Sequence, residues 1–163
     1  MLNHYKIRKW CGVVVVKYQQ EFLDNVRGSV EDLIQSHFSE VYPMRNVCDW
    51  DMDWGAYEKL EELGMLKIFT ARDNNALVGY LWVILSPNLH SRGSVLACDD
   101  GLYVAKSHRG KAVAKELIQF TERCLKEDGI KTFHIVGTTE KPINGLMRRM
   151  GYTEIETKFQ RVL

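Results

Sequence analysis

The chain has no marked excess of charge of either sign, no closely spaced cysteine pair, no hydrophobic run of membrane-spanning length and no internal repeat or low-complexity tract. Each absence excludes something. Lys and Arg number 22 against 21 Asp and Glu, a formal net charge of +1, so bulk electrostatics give no reason to expect a nucleic-acid or membrane-surface protein. The four cysteines, Cys11, Cys48, Cys98 and Cys124, form no CxxC pair and no metal-ligand spacing. They are expected to be free thiols in a reducing cytoplasm, with no metal site. The apolar run at residues 11–16 is too short for a signal core or a membrane span. With 163 residues, 45% of them hydrophobic, and no linker composition, the expectation is one domain over residues 1–163 with a single substantial core.

What is present is an alternation of helix and strand patterns. Residues 13–16 (VVVV) read as a first strand. Phe22, Val26, Val30, Leu33, Ile34 and Phe38 recur every three or four positions, which predicts helix over 21–38, interrupted near Gly28 and Ser29. Residues 41–53 are turn-like and dense in aromatic and acidic side chains, and a short helix is expected at 54–62, stopped by Gly64. Residues 65–71 and 77–85 form a hairpin pattern around Asp73, Asn74 and Asn75. A fourth strand is expected at 94–104, where Gly101 signals a bulge or a close approach to another backbone. Further strands are expected at 131–136 and within 152–163, with a short helix at 142–150 between them.

The fourth strand leads through Lys106, Arg109, Gly110, Lys111, Ala112, Val113 and Ala114 into an amphipathic helix. Small and cationic residues at a helix start suit an anion, because the first N–H groups lack intrahelical partners and carry the positive end of the dipole. In order and motif the chain resembles the GNAT superfamily of acyl-CoA-dependent N-acyltransferases. The family's pyrophosphate loop is Arg or Gln, two variable residues, Gly, one variable residue, then Gly or Ala, and Arg109, Ala112 and Ala114 match it with Ala in place of the middle Gly. A methyl group is tolerable at Ala112 if its backbone has ordinary helical angles.

The resemblance implies an α/β (α+β) GNAT fold with a mixed central sheet splayed at the fourth and fifth strands and helices on both faces. It implies acetyl-CoA as co-substrate, held by the backbone of Leu102, Tyr103 and Val104, by the loop from Arg109 to Ala114, and by Asn144 and Met147. The acceptor is an amine of a small molecule or protein; neither nucleic acid nor membrane is implied as a partner, and a homodimer is left open. Many GNAT enzymes protonate the departing thiolate with a Tyr in the last helix, four residues before a Gly-Phe. Here Gly151-Tyr152 takes the Gly-Phe place and Met147 the Tyr place, so Tyr103 and Tyr152 are the candidate substitutes. A degenerate member that binds CoA or a partner without turnover is the alternative, and a contact patch for nucleic acid at Lys106, Arg109, Lys111, Arg148 and Arg149 is a third reading.

The whole chain further resembles small GNAT proteins common in phages and prophages, which carry His-x-x-Glu in the early helix, Pro-x-x-His after the third strand and acidic residues before the Leu-x-Val run. The matching positions are His37 and Glu40, Pro87 and His90, and Asp99 and Asp100. Catalytic candidates are therefore Glu40, Asp99, Asp100, His37 and His90. Only one of Asp99 and Asp100 can face the substrate if the strand alternates regularly, and Asp100 is favoured because it lies nearer the Leu102 backbone.

Overall fold

The structure is a computed structural model that describes residues 15–163. One five-stranded sheet has the order β1 (Val16–Glu21), β2 (Leu66–Asp73), β3 (Ala76–Pro87), β4 (Val95–Val104), β5 (Phe133–His134). The first four strands pair antiparallel, and β4 and β5 pair in parallel. This is the mixed α/β architecture expected.

Two apolar clusters cover the two faces. On one, α3 (Val113–Glu127) lays Val113, Leu117, Ile118 and Phe120 on Phe69, Leu81, Val83 and Ala97. On the other, α1 (Leu23–Val41) lays Leu23, Val26, Val30 and Ile34 on Ile68, Tyr80, Trp82 and Tyr103. α2 (Trp54–Glu62) packs beside α1, and Glu61 Oε1 caps α1 by accepting from Leu23 N–H at 2.8 Å. α4 (Asn144–Arg149) follows β5.

Four expectations are corrected. The first strand begins at Val16, and residues 13 and 14 lie outside the described residues. The early helix is continuous through Gly28 and Ser29. Ser29 turns its hydroxyl back to the Val26 carbonyl, and a mid-helix Gly costs about 1 kcal/mol, less than burying the four-residue apolar stripe returns. β5 is two residues long. Residues 152–163 hold no strand, although Ile155 and Phe159 would share one face if extended.

β5 is short for a local reason. Its register with β4 covers only Ala97–Phe133 and Cys98–His134. Beyond that, the Asp99 carboxylate takes the Val136 N–H at 2.7 Å, where a strand ladder would otherwise continue. The two strands separate there, and β4 runs on from Gly101 to Val104 with its β5-side edge unpaired among the described residues.

Candidate active site

The gap between β4 and β5 is bordered by two chemically opposite regions. On one side is the loop entering α3. Gly110 has φ +77°, with nothing within 4 Å of where a Cβ would lie. Ala112 at the N-cap gives α3 no side-chain cap, so among the described residues its first N–H groups face an open loop. Arg109 is fixed by Nε–H donation to the Val104 carbonyl at 2.9 Å and lies over the Tyr103 ring at 5.0 Å. His108 ties the loop to the β2–β3 turn through Asp73 at 3.1 Å. Ala112 has φ 62° and ψ 1°. It occupies the left-handed region, not the helical angles expected, so its methyl group sits where glycine is favoured.

Glu40, in the last turn of α1, faces this loop. Its Oε1 accepts from the Tyr103 hydroxyl at 2.6 Å and lies 3.3 Å from Lys106 Nζ, while its Oε2 accepts from Arg109 at 3.0 Å and Lys141 at 3.3 Å. Burial works to raise its pKa, but these four donors outweigh it and hold the carboxyl down at about 2.

On the other side is a cleft of about 580 Å³ between α1, α2, the loop joining them, and β3–β4. Its walls are aromatic, with Tyr42, Trp50, Tyr57, Tyr80 and Trp82, and its carboxylates are Asp49, Asp51, Asp53 and Asp100. A bulge explains how Asp100 reaches it. Trp82 pairs with Gly101 and Val83 with Asp99, leaving Asp100 as the extra residue. Asp100 Oδ2 accepts from the Tyr57 hydroxyl at 2.6 Å, leaving Oδ1 without a donor among the described residues. Asp99 instead turns to Val136, and burial together with the Asp100 charge pushes its pKa up to about 6 against the opposing Val136 N–H and Lys158.

His37 joins the two regions. Its Nδ1 is 2.7 Å from the Tyr80 hydroxyl, its ring stacks on Tyr103 at 5.3 Å, and it closes on the bare Cα of Gly101. Burial, with help from Arg109 and against Glu40, pushes its pKa down to about 4, so the ring is neutral at pH 7. Gly101 therefore matters twice: a Cβ there would lie 3.3 Å from His37 Cε1.

The structure thus brings His37, Asp100 and Gly101 together at the cleft, and Glu40, Tyr103, Arg109 and Lys106 at the loop. It does not bring His90 to either. His90 is exposed in the β3–β4 turn, its N–H held by Asn88. The strand from Trp82, opposite Gly101, to Pro87 already spans about 17 Å at roughly 3.4 Å per residue. Met147 is buried on α4 against the α3 cluster, with Asn144 one turn before it. Tyr152 donates to Glu122 on α3 at 2.7 Å and Tyr103 to Glu40, so both hydroxyls have carboxylate partners. Sequence reasoning missed Tyr57, Tyr80, Trp82 and Lys141. The aromatic and acidic density of residues 41–53 was the available signal for the cleft.

Among the described residues no cluster of three or more His, Cys, Asp or Glu could hold a metal, and no helix is long and apolar enough to cross a membrane. The model of the Acetyltransferase (GNAT) domain matches residues 65–154. The chain belongs to this family and is an N-acetyltransferase by class. No curated protein matches its sequence. Similar folds include two aminoglycoside acetyltransferases from an uncultured soil metagenomic sample. One, in complex with sisomicin, has 18% identity and TM-score 0.71 over 91% of this chain and 96% of that one. The other has 21% identity and TM-score 0.72 over 91% and 99%. A predicted acetyltransferase with acetyl-CoA from Clostridium acetobutylicum has 12% identity and TM-score 0.68 over 91% and 96%.

Proposed function

We propose that the protein transfers the acetyl group of acetyl-CoA to a small cationic amine, with the pyrophosphate on the N-terminus of α3 and the amine in the acidic aromatic cleft. The observation that carries this reading is the placement of an anion-binding helix start and a carboxylate-lined cleft on either side of the unpaired stretch of β4. In an unpaired strand, alternate backbone N–H and C=O groups point into the gap, so Gly101 to Val104 can pair with the pantetheine arm and offer an N–H to the thioester oxygen as charge develops there.

The chemistry then divides among named groups. An alkylamine has a pKa near ~10.4, so only about one molecule in a thousand is neutral at pH 7. The carboxylates Asp49, Asp51, Asp53 and Asp100 attract the ammonium form, and Asp100, whose Oδ1 is unengaged, takes its proton directly or through water. Tyr57 orients Asp100 by donating to its other oxygen. Neutral His37 supplies an unprotonated wall beside the reacting amine, so no positive charge there repels it. The free amine attacks the thioester carbon, the C–S bond breaks, and the leaving thiolate takes up, directly or through water, the proton that the acylated nitrogen sheds. Met147 has no proton to give it and serves as packing. With four carboxylates in the cleft, an acceptor bearing more than one ammonium group fits best. Aminoglycosides, the substrates named for two structural neighbours, are of that kind.

The test is acetyl-CoA turnover screened against aminoglycosides, polyamines, amino acids and protein lysines. Turnover is expected on polycationic small molecules. Turnover confined to uncharged or anionic amines, or CoA binding with turnover on none, would overturn the reading.

A further inference from the structure

Glu40 is in an unfavourable place by local rules. A carboxylate in the last turn of a helix meets the negative end of the dipole, and α1 has no basic residue in that turn to offset it. Such a local conflict persists where tertiary partners compensate, and functional sites are where such conflicts are expected. The partners here are three cations from two separate segments: Lys106 and Arg109 from the loop joining β4 to α3, and Lys141 from the stretch between β5 and α4. The Glu40 side chain is only 10% exposed, whereas those of Lys106, Arg109 and Lys141 are 74%, 41% and 53% exposed. The anion is at the bottom and the cations rise around it.

We propose that Glu40 is a positioning residue for the cofactor's phosphates, gathering Lys106, Arg109 and Lys141 into one convergent cationic patch beside the start of α3. The inference rests on acetyl-CoA being the donor. Without the carboxylate, three like charges on two segments repel and the segments diverge. With it, each points one N–H at the carboxylate and Arg109 gives a second to the Val104 carbonyl, which leaves two N–H groups on each ammonium and three on the guanidinium for a ligand. One anion against three cations leaves the patch with a net positive charge, ready for a pyrophosphate. The Tyr103 hydroxyl on Oε1 fixes the carboxylate to β4, and His37, one turn earlier on α1, stacks on the same Tyr103 ring. The helix that walls the acceptor cleft is thereby the one that sets the cofactor loop.

Calorimetry of CoA and of pantetheine, which lacks the pyrophosphate, on the wild type, Glu40→Gln and Glu40→Asp tests this. Glu40→Gln keeps the shape and removes the charge, and CoA is expected to bind about tenfold more weakly, the loss expected for one charge-assisted contact set. Pantetheine should bind all three proteins alike, Glu40→Asp should recover part of the CoA affinity, and the thermal midpoint of Glu40→Gln should fall while the melt stays cooperative, because a carboxyl held down at about 2 in the fold stabilises it at neutral pH. Equal or tighter CoA binding by Glu40→Gln would overturn the proposal. So would a loss shared equally by pantetheine, which would mark a fold defect. A wild type that binds no CoA would instead overturn the donor reading, and this inference with it.

Discussion

In the proposed function, the two sides of the β4 gap bind by opposite means. At the α3 side the ligand-facing groups are backbone N–H and exposed cations on a loop with few side-chain walls, with nothing within 4 Å of where a Gly110 Cβ would lie. At the cleft side they are carboxylates standing on aromatic walls, with Trp82 only 2% exposed. One region recognises a phosphate by field and geometry. The other recognises a cation by field and the body attached to it by surface contact. Charge sorting follows: an ammonium is repelled by Lys106, Arg109 and Lys141, and a phosphate by Asp49, Asp51, Asp53 and Asp100, so each substrate has one favourable entrance. The strand between them is neutral where they meet, at Gly101 and Leu102.

The largest test of this division is Asp100→Asn. The amide preserves an acceptor for Tyr57 but cannot take a proton, so kcat on a cationic amine should fall about 100- to 1,000-fold, in the range for loss of a general base, with CoA affinity unchanged. Steady-state kinetics beside CoA calorimetry separate the two effects. Undiminished turnover would remove Asp100 from the chemistry.

A smaller effect is expected from changing Asp49, Asp51 and Asp53 together to Asn. Asp53 also caps α2, its Oδ1 accepting from Ala56 N–H at 2.9 Å, and Asn caps nearly as well. The KM for a polycationic acceptor should rise about tenfold and lose much of its salt dependence, while kcat and CoA binding stay near wild type. If KM rises equally for a neutral amine, the carboxylates act through shape and the charge comparison fails.

The unequal legibility of the two regions has the same physical origin as their chemistry. The loop proposed for the anion is contiguous, Arg109 to Ala114, and that reading rests on local backbone features, so its residues stand together in the sequence. The bulge too was visible through Gly101. The cleft was not, because its walls come from α1, the 42–53 loop, α2 and β3, and only packing decides that Tyr57 meets Asp100 across 43 residues. Glu40 shows the limit most clearly: its spacing from His37 marks a shared helix face, but the partners on that face, Tyr103, Arg109 and Lys141, lie 63, 69 and 101 residues away. The C-terminal strand pattern was a true local signal without a template, since two residues of β5 offer too little edge to pair with.

Asp99 gives a pH-dependent test of the gap itself. Its folded pKa, pushed up to about 6, lies above the ordinary 3.8. A carboxyl raised on folding favours the native state below its unfolded pKa and loses that contribution as pH rises through the folded value. Between pH 4 and pH 7 the wild type should therefore lose stability relative to Asp99→Asn, which keeps an acceptor for Val136 N–H but no charge. Urea melts at both pH values check this. A difference that stays constant, or that shrinks as pH rises, would mean that the Val136 N–H and Lys158 outweigh burial.

The smallest expected effect concerns Ala112, at φ 62° where the family's loop has glycine. A Cβ in the left-handed region costs about 1–2 kcal/mol, and replacing Ala by Gly returns roughly 0.5–1 kcal/mol of that as unfolded-chain entropy. Ala112→Gly should therefore be neutral or stabilise by up to about 1 kcal/mol. Two residues on, Ala114 lies within the first turn of α3 and packs against the core cluster, so Ala114→Gly has only helix propensity and contact to lose and should destabilise by about 1 kcal/mol. The two variants make the same chemical change in the same loop with opposite expected signs. Denaturant midpoints measured side by side decide it: equal destabilisation would place Ala112 in ordinary helical geometry and return the loop to the conformation first expected from its sequence.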